Sequence, residues 1–240
     1  MNAHNNGNVP ETTCDTGERE HTNIRGADAG LVAVPGELSD CHVDREVLGS
    51  AEIWRGRVMG LAEDEVRVVD GQDPVTRQYV VHPGAVAIVA LRGDEGEEQI
   101  LLEKQYRHPV RSELLEIPAG LLDIAGEDPL VAAQRELAEE VDLQAQRWDV
   151  LVDYFTSPGG SNESIRIFLA RDLIPTGVTF EREDEEAGMT ATWVSLDEAV
   201  NLVFSGRIHN PNSVSGILAA FACRAQGWRT LRTTDAPWFR

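Results

Sequence analysis

The stretch "PAGLLDIAGEDPLVAAQRELAEEVDL", residues 118–143, decides the fold of this chain. Asp128 before Pro129 predicts a helix start, because Asp can cap free backbone amides and Pro is pre-set for the first helical position. We expect this helix to run to about Val141. Apolar residues, among them Leu137, recur along one side and predict a buried stripe.

Three carboxylates, those of Glu136, Glu139 and Glu140, lie on another side of the predicted helix at i+3 and i+4 spacing. Like charges at this spacing destabilise an isolated helix by roughly 0.2–0.5 kcal/mol per pair. Arg135 can reach Glu139 but cannot neutralise three carboxylates, whereas clustered oxygen ligands suit Mg2+ or Mn2+. The alternative interpretation is an ordinary solvated acidic face.

The composition limits the classes of protein to consider. With 240 residues and 42% hydrophobic content, the chain has the size and composition of one main globular domain. No apolar run approaches the roughly 18 residues needed to cross a bilayer, so we expect no membrane association. The formal net charge of −20 argues against nucleic acid as a partner, since it repels polyanions. An anionic small molecule can bind if a divalent cation lies between it and the protein.

Residues 1–45 are polar and acidic without periodicity, which predicts a tail that is disordered or only loosely attached. The chain begins without a basic stretch followed by an apolar one, so the cytoplasm is the predicted location. Cys14, Cys41 and Cys223 are widely separated and outside any metal-ligand spacing, which predicts three free thiols.

The rest of the chain predicts an α+β fold. Residues 46–83 predict an N-terminal antiparallel meander, and residues 84–240 a main domain with strands at "GAVAIVAL", "QILLEKQYR", "WDVLVDYFTS", "SIRIFLAR" and "MTATWVSL". A capping-box pattern beginning at Ser195 predicts a short helix that ends near Gly206, and a final helix is expected over about 213–226. Because strands and helices do not alternate regularly, the pattern favours an α+β sandwich over a doubly wound sheet.

The spacing around the crowded helix resembles the Nudix box, the signature of the Nudix hydrolases. That pattern is Gly, five residues, Glu, seven residues, Arg-Glu, an aliphatic residue, any residue, Glu-Glu, any residue, Gly and an aliphatic residue. Here Gly120, Glu127 and "RELAEE" supply every required charge. In two departures, six residues separate Gly120 from Glu127, and Asp142 stands where the family usually has Gly. The loop can absorb the extra residue, and Asp tolerates a left-handed helix terminus at some cost.

The resemblance implies a Nudix fold, in which a mixed β-sheet is sandwiched between helices. It implies that Glu136 and Glu140 are the main ligands of Mg2+ or Mn2+, that Glu139 shares or supports metal binding, and that a carbonyl near Ala119 adds a ligand. Arg135 is expected to act in catalysis with Glu139, mainly by shaping the box through an ion pair with Glu127. The family chemistry is attack of water on a nucleoside diphosphate linked to another group.

Flanking motifs resemble the ADP-ribose pyrophosphatase branch of the family. In "YFTSPGGSNES", Pro158 lies fifteen residues beyond Leu143, and "QYRHPVRSELLEIPAG" and "EEAGMT" are also similar to that branch. The resemblance covers roughly residues 50–235. It implies a homodimer, because enzymes of this branch typically pair through an N-terminal sheet.

Several flanking residues are expected to bind substrate. The loop with Pro158, Gly159 and Glu163 is expected to face the substrate, although its composition alone is typical of a turn. Arg107 and Arg111 are either surface charges or phosphate ligands, since a guanidinium fork suits a diphosphate. We place Arg107 on phosphate or on ribose phosphate.

Two further positions carry expectations with alternatives. Glu186 is expected to be the base that deprotonates or orients the attacking water, with Glu185 the alternative, although both could belong to a solvated acidic loop. Trp54 either belongs to the core, which we favour, or stacks on adenine.

The sequence therefore predicts Mg2+-dependent hydrolysis of ADP-ribose to AMP and ribose 5-phosphate. The box fixes the chemistry and not the base, so another nucleoside diphosphate sugar such as GDP-mannose is an alternative substrate. A non-catalytic ADP-ribose sensor is a third hypothesis. The sequence speaks against it, because every carboxylate of the box persists and the N-terminal extension is acidic, whereas sensors often append a helix-turn-helix with a basic face.

Overall fold

The structure is a computed structural model that describes residues 39–180 and 188–240. Most of the predicted tail lies outside these residues, so its disorder stays a prediction. The described residues divide into two compact units, one containing 39–50 and 64–77 and the other 51–63 and 78–240.

Ten strands and three α-helices form within the described residues. The strands are β1 (Glu46–Arg55), β2 (Gly60–Arg67), β3 (Val75–Val81), β4 (Ala85–Arg92), β5 (Gln99–Arg107), β6 (Ser112–Glu116), β7 (Ala119–Leu121), β8 (Leu143–Phe155), β9 (Ser164–Pro175) and β10 (Thr190–Ser195). The helices are α1 (Pro129–Val141), α2 (Leu196–Phe204) and α3 (Pro211–Ala225).

The predicted N-terminal meander is a three-stranded sheet in the order β1-β2-β3. Every residue of β1 is exposed, including Val47, Leu48 and Ile53. In an antiparallel sheet, at least one face is usually covered by other parts of the protein. This sheet therefore presents apolar side chains that the described residues do not bury.

The second sheet has seven strands, with β10-β5-β4-β9-β8 as its main path. Its strand β4 runs parallel to β9 and antiparallel to β5 and β7, so the sheet is mixed as predicted. The strand β6 pairs with residues 103–107, the C-terminal half of β5. The short strand β7 lies near the start of the stretch 118–143, and its pairing with β4 fixes it to a central strand of the sheet.

Helices cover both faces of the mixed sheet, as the alternation of β4 requires. Val86, Ile88 and Ala90 pack with α1 on one face, while Ala87 and Val89 pack with α2 and α3 on the other. All five side chains are fully buried. The predicted α+β sandwich is confirmed.

Local signals set the helix boundaries closely. The structure places α1 at Pro129–Val141, as predicted, with Asp128 accepting a 2.8 Å hydrogen bond from the amide of Leu130. Ser195 caps α2 by accepting from the amide of Glu198 at 3.1 Å. Two strands, β6 and β7, were not predicted, because Pro118 interrupts the sequence between them and each is short.

The cysteine prediction is correct only in part. Cys223 is free and buried in α3. Cys41, however, is disulfide-bonded, so the prediction of a free thiol is wrong there. Sequence spacing could not reveal this pairing, since it depends on which thiols the folded chain brings together. No helix in the described part of the chain is both long and apolar enough to cross a membrane.

The attachment of α1 to the sheet rests on Leu137, which is fully buried. We expect Leu137→Ala to lower the free energy of unfolding by about 2–5 kcal/mol, because it leaves a cavity against β4. Val131→Ala, at an exposed position of the same helix, should change it by less than about 0.5 kcal/mol. Urea denaturation measures both, and equal losses would contradict the docking described here.

Candidate active site

The helix α1, which carries the carboxylates, is capped at both ends. It ends at Asp142, whose φ of 56° is left-handed. The side chain of Asp142 accepts a 2.9 Å hydrogen bond from the amide of Phe180, a contact that Gly could not provide. Asp therefore replaces the usual Gly here with a compensating hydrogen bond.

Arg135 is the cation at the centre of the acidic helix. Its Nε and Nη2 atoms each donate to the carboxylate of Glu127 at 3.1 Å. Its Nη1 atom donates to Glu136 at 2.7 Å and to Glu139 at 3.1 Å. The hydrogen bonds from Arg135 hold the pKa of Glu127 below its ordinary value, and those to Glu127 raise the pKa of Arg135 further. The predicted ion pair between Arg135 and Glu127 is present.

The short strand β7 touches the two carboxylates expected to bind metal. The amide of Ala119 donates to Glu140 at 3.0 Å, and Glu140 is buried. A Cβ atom on Gly120 would lie 2.0 Å from the carboxyl carbon of Glu136. Only Gly therefore lets the strand approach the helix this closely.

The donor set suits a divalent cation in its chemistry, because every side chain involved offers hard oxygen atoms. Within 39–180 and 188–240, however, no three His, Cys, Asp or Glu side chains are arranged to hold a metal ion. In the described structure Arg135 bonds to Glu136 and Glu139, and Glu140 accepts a hydrogen bond from the amide of Ala119.

A cavity of about 620 Å³ opens beside β7. It lies where β4 and β9 begin and where β5 and β8 end, on the face covered by α3. Ala119 and Gly120, the two residues that contact the carboxylates of α1, line it. The acidic helix and the cavity are thus joined through a single strand. The other polar lining residues are His82, Arg107, Thr156, Glu163, Asn210 and Asn212.

The two arginines of the predicted phosphate site differ in placement. Arg107 lines the cavity and donates to both oxygens of Glu116, at 3.0 and 2.7 Å. Glu116 is buried on β6 and orients this guanidinium. Arg111 is exposed, with a left-handed φ of 51°, and is not among the residues that line the cavity.

The loop between β8 and β9 contributes some of its predicted substrate residues to the cavity. Pro158 and Gly159 are exposed and do not line it, whereas Glu163 does. Thr156 donates its hydroxyl to Glu163 at 2.7 Å, and His82 Nδ1 lies 3.3 Å from the same carboxylate. That nitrogen also accepts from the amide of Gly84, so Thr156 is the donor that fixes Glu163.

The expected bases, Glu185 and Glu186, lie outside the described residues. Met189, just after them, lines a smaller cavity of about 230 Å³ together with Glu140 and Glu103. Met189 therefore lies beside the acidic helix α1.

Trp54 is 56% exposed, so the interpretation that it belongs to the core is wrong. Its ring lies over Gly56, where an added Cβ atom would come within 2.3 Å of it. Within the part of the chain that the structure describes, all ten residues of β1 are exposed, so neither face of the strand buries the indole. The stacking role expected for Trp54 stays a prediction.

Four polar residues of the site were not predicted: His82, Thr156, Asn212 and Glu116. Each acquires its role through a contact with a residue that the fold brings close, such as His82 with Glu163. The only available signal was weak, namely that Glu116 lies in the motif that follows Arg107.

Comparisons with known proteins identify chains similar to this one. Residues 81–213 match the NUDIX domain family. The chain is 45% identical to the ADP-ribose pyrophosphatase of Mycobacterium tuberculosis (strain ATCC 25618 / H37Rv), over 81% of this chain and 91% of the relative. It is 34% identical to the methanol dehydrogenase activator of Bacillus methanolicus, over 72% of this chain and 91% of the relative.

Among solved structures, the fold resembles a crystal structure of ADP compounds hydrolase. The TM-score is 0.62 at 24% sequence identity, and the match covers 79% of this chain and 99% of that chain. At this level of identity the likeness concerns the fold alone.

The contact between Gly120 and Glu136 predicts the effect of one added methyl group. Gly120→Ala should displace the flexible carboxylate and weaken Mg2+ binding by about tenfold or more, while the protein still folds. Gly49→Ala is the matched control, because its Cβ atom would lie no closer than 3.9 Å to another residue. Calorimetric titration with Mg2+ compares them, and equal affinities would contradict the proposed role of this contact.

The ion pair of Glu127 predicts a dependence of stability on pH. Because the pKa of Glu127 is lowered by folding, the pair stabilises the protein above the ordinary pKa of 4.5. This contribution is lost as the pH falls from about 5 through the lowered pKa, where the folded protein also takes up the proton. Thermal melts should show that Glu127→Gln is less stable than wild type near neutral pH and that the difference shrinks in acid. A difference that stays constant down to the acid transition would argue against the pair.

Proposed function

Since the chain belongs to the Nudix hydrolase family, we propose that it hydrolyses the diphosphate linkage of ADP-ribose to AMP and ribose 5-phosphate. One observation carries the proposal. Two successive residues of β7, Ala119 and Gly120, contact Glu140 and Glu136 on one side and line the 620 Å³ cavity on the other. A diphosphate in the cavity would therefore lie beside the acidic helix.

The cofactor of this reaction is proposed to be Mg2+, with Mn2+ as the alternative. Glu136 and Glu140 would hold it, Glu139 would support them, and a carbonyl near Ala119 would add a ligand. When bound, a divalent cation polarises phosphoryl oxygens and lowers the pKa of a bound water molecule. The carboxylates of α1 bring the negative charge that attracts the cation, and Arg135 keeps them in place through its contacts with Glu127, Glu136 and Glu139.

The cavity supports a substrate of nucleotide size. Ligand sites commonly enclose about 300–1,000 Å³, and the cavity falls within that range. Arg107 is proposed to bind phosphate, because Glu116 fixes its guanidinium at the cavity wall while part of the side chain stays exposed. The position of Arg111 outside the lining gives no support to a phosphate contact there.

Glu186 is proposed as the base that orients or deprotonates the attacking water, with Glu185 as the alternative. Support comes from Met189, three residues after Glu186, which lines the smaller cavity together with Glu140. Met189 thus lies near Glu140, one of the proposed metal ligands.

The protein is proposed to form a homodimer through its N-terminal sheet. The exposed apolar residues of β1, including Val47, Leu48 and Ile53, support this assembly, since exposed apolar patches commonly mark interfaces. Trp54 is exposed on the same strand, where a second copy could bring it to a nucleotide base.

The main rival within the same chemistry is another nucleoside diphosphate sugar, such as GDP-mannose. The metal-binding carboxylates cannot distinguish these substrates, because they act on the diphosphate that all of them share. A non-catalytic ADP-ribose regulator is less well supported, since Glu136, Glu139 and Glu140 all remain on α1. A panel of nucleoside diphosphate sugars separates the substrates, and turnover of any of them excludes the regulator.

The expected result with ADP-ribose and Mg2+ is release of AMP and ribose 5-phosphate, measured by chromatography. Glu140→Gln should lower kcat by at least about 100-fold, because a bound metal ion supplies several kcal/mol of transition-state stabilisation. Its fold should persist, since the change removes one of several repelling charges.

The control for this prediction is Glu198→Gln, which makes the same substitution at an exposed position of α2. Near-normal turnover by Glu140→Gln at saturating Mg2+ would refute the ligand assignment. Cleavage of another nucleotide sugar with ADP-ribose left intact would refute the substrate assignment and leave the chemistry standing.

A further inference from the structure

A second cavity, of about 640 Å³, lies at the other end of the mixed sheet. The 620 Å³ cavity opens where the parallel strands β4 and β9 begin, and the second cavity opens where both strands end. Ala85 lines the first and Leu91, six residues further along β4, lines the second, which separates the two by about 20 Å. The two cavities share no lining residue. The charged residues that line the second are Arg92, Glu95, Glu98, Arg147, Arg171 and Asp172.

Two of the arginines of this second cavity lie side by side. Arg147 on β8 and Arg171 on β9 are directly opposite each other in the antiparallel register, on the same face of the sheet. Like charges in this arrangement destabilise a sheet. Asp149 lies close to both, since its Oδ2 atom accepts from Arg171 Nη2 at 2.7 Å and is 3.6 Å from Arg147 Nε. One carboxylate thus faces two guanidinium groups, and one positive charge is left over.

Arg171 also has a buried hydrogen-bond donor that is not used. Its Nε atom is buried and has no hydrogen-bond partner among the described residues, and the side chain as a whole is only 14% exposed. The ring of Trp228 lies 5.0 Å from Arg171 Cζ and closes one side of the cavity. Trp228 reaches this position with a left-handed φ of 61°, a conformation that aromatic residues seldom adopt. A buried N–H group without a partner destabilises the folded protein, and an acceptor from a ligand would remove that cost.

The carboxylates that line the cavity are bonded elsewhere or face solvent. Glu98 is buried and accepts from the amide of Gly96 at 3.1 Å and from Arg224 at 3.3 Å. Glu95 and Asp172 are exposed, where water and salt screen their charges. The attraction for an anion is therefore concentrated at the two opposed arginines.

We propose that this cavity is a second anion site, in which Arg147 and Arg171 bind a phosphate group, either of inorganic phosphate or of a phosphomonoester. Guanidinium groups match the geometry of phosphate oxygens, and one phosphate group can accept from both arginines at once, including the Nε atom of Arg171. Its charge also offsets the repulsion between the two cations. The cavity is larger than a phosphate ion needs, so it has room for an organic group attached to the phosphate.

Calorimetric titration of the full chain tests the site with two probes, inorganic phosphate and glycerol 3-phosphate. At least one of them should bind at millimolar concentration or below without Mg2+, and adding Mg2+ should change the affinity by less than about threefold. Binding through a metal ion at α1 would instead require the cation. The probe with the higher affinity identifies the source of the phosphate group.

Variants assign the binding to the two arginines. Arg147→Gln should weaken binding by about tenfold, because it removes a charge-assisted hydrogen bond, and should remain folded, since this side chain is 55% exposed. Arg171→Lys keeps the charge but loses the planar fork, so it should also weaken binding by about tenfold, which a general attraction of charge would not explain. Arg207→Gln, at an exposed position outside the cavity, is the matched control and should keep the affinity of wild type.

Several results would overturn the proposal. These are failure of both probes to bind at millimolar concentration, binding that appears only with Mg2+, an unchanged affinity in Arg147→Gln, or an equal loss in Arg207→Gln. Turnover of ADP-ribose by Arg147→Gln should stay within about twofold of wild type, because this residue lies outside the 620 Å³ cavity. The phosphate titrations do not depend on turnover, so they decide the second site even if the proposed hydrolysis fails.

Discussion

The structure depends on how three carboxylates are tolerated side by side on α1. Arg135 offsets part of their charge by bonding to Glu136 and Glu139 while its other nitrogens hold Glu127. The buried Glu140 takes its hydrogen bond from the backbone of β7 instead. Arg135 carries one positive charge against the four carboxylates of Glu127, Glu136, Glu139 and Glu140, so these five residues together carry an excess of negative charge. That excess is the physical reason to expect a divalent cation, since binding it removes repulsion that the folded chain otherwise bears.

The rest of the fold places a cavity against this helix. Buried side chains of alternating direction along β4 fix α1 on one face of the mixed sheet and α3 on the other. The strand β7 pairs with β4 and approaches α1 so closely that only Gly fits at position 120. The cavity therefore opens at a point where three parts of the fold meet. These are the ends of the sheet's strands, the start of α3 and the loop before β9. The carboxylates of α1 lie on one side of β7, and the cavity with its polar lining residues lies on the other.

Local rules account for what the sequence predicted well. The bounds of α1 follow from Asp128, Pro129 and the left-handed terminus at Asp142, all of which act within a few residues. The strands β6 and β7 were not predictable from the sequence because they are short and their partner strands lie elsewhere in the chain. The contacts of Glu163 with His82 and of Tyr154 with Asn212 join distant segments, which no local pattern encodes. The core interpretation of Trp54 is wrong because β1 is exposed along its whole length among the described residues, which no local sequence pattern indicates.

The most direct test is a crystal structure with Mn2+ and an ADP-ribose analogue whose diphosphate bridge cannot be cleaved. The anomalous signal of manganese locates the ion without reference to the expected ligands. The account predicts a peak at coordination distance from Glu136 and Glu140, with the diphosphate of the analogue bound to the same ion. It would be contradicted by a bound analogue whose diphosphate is remote from α1, with no ion beside Glu136 or Glu140.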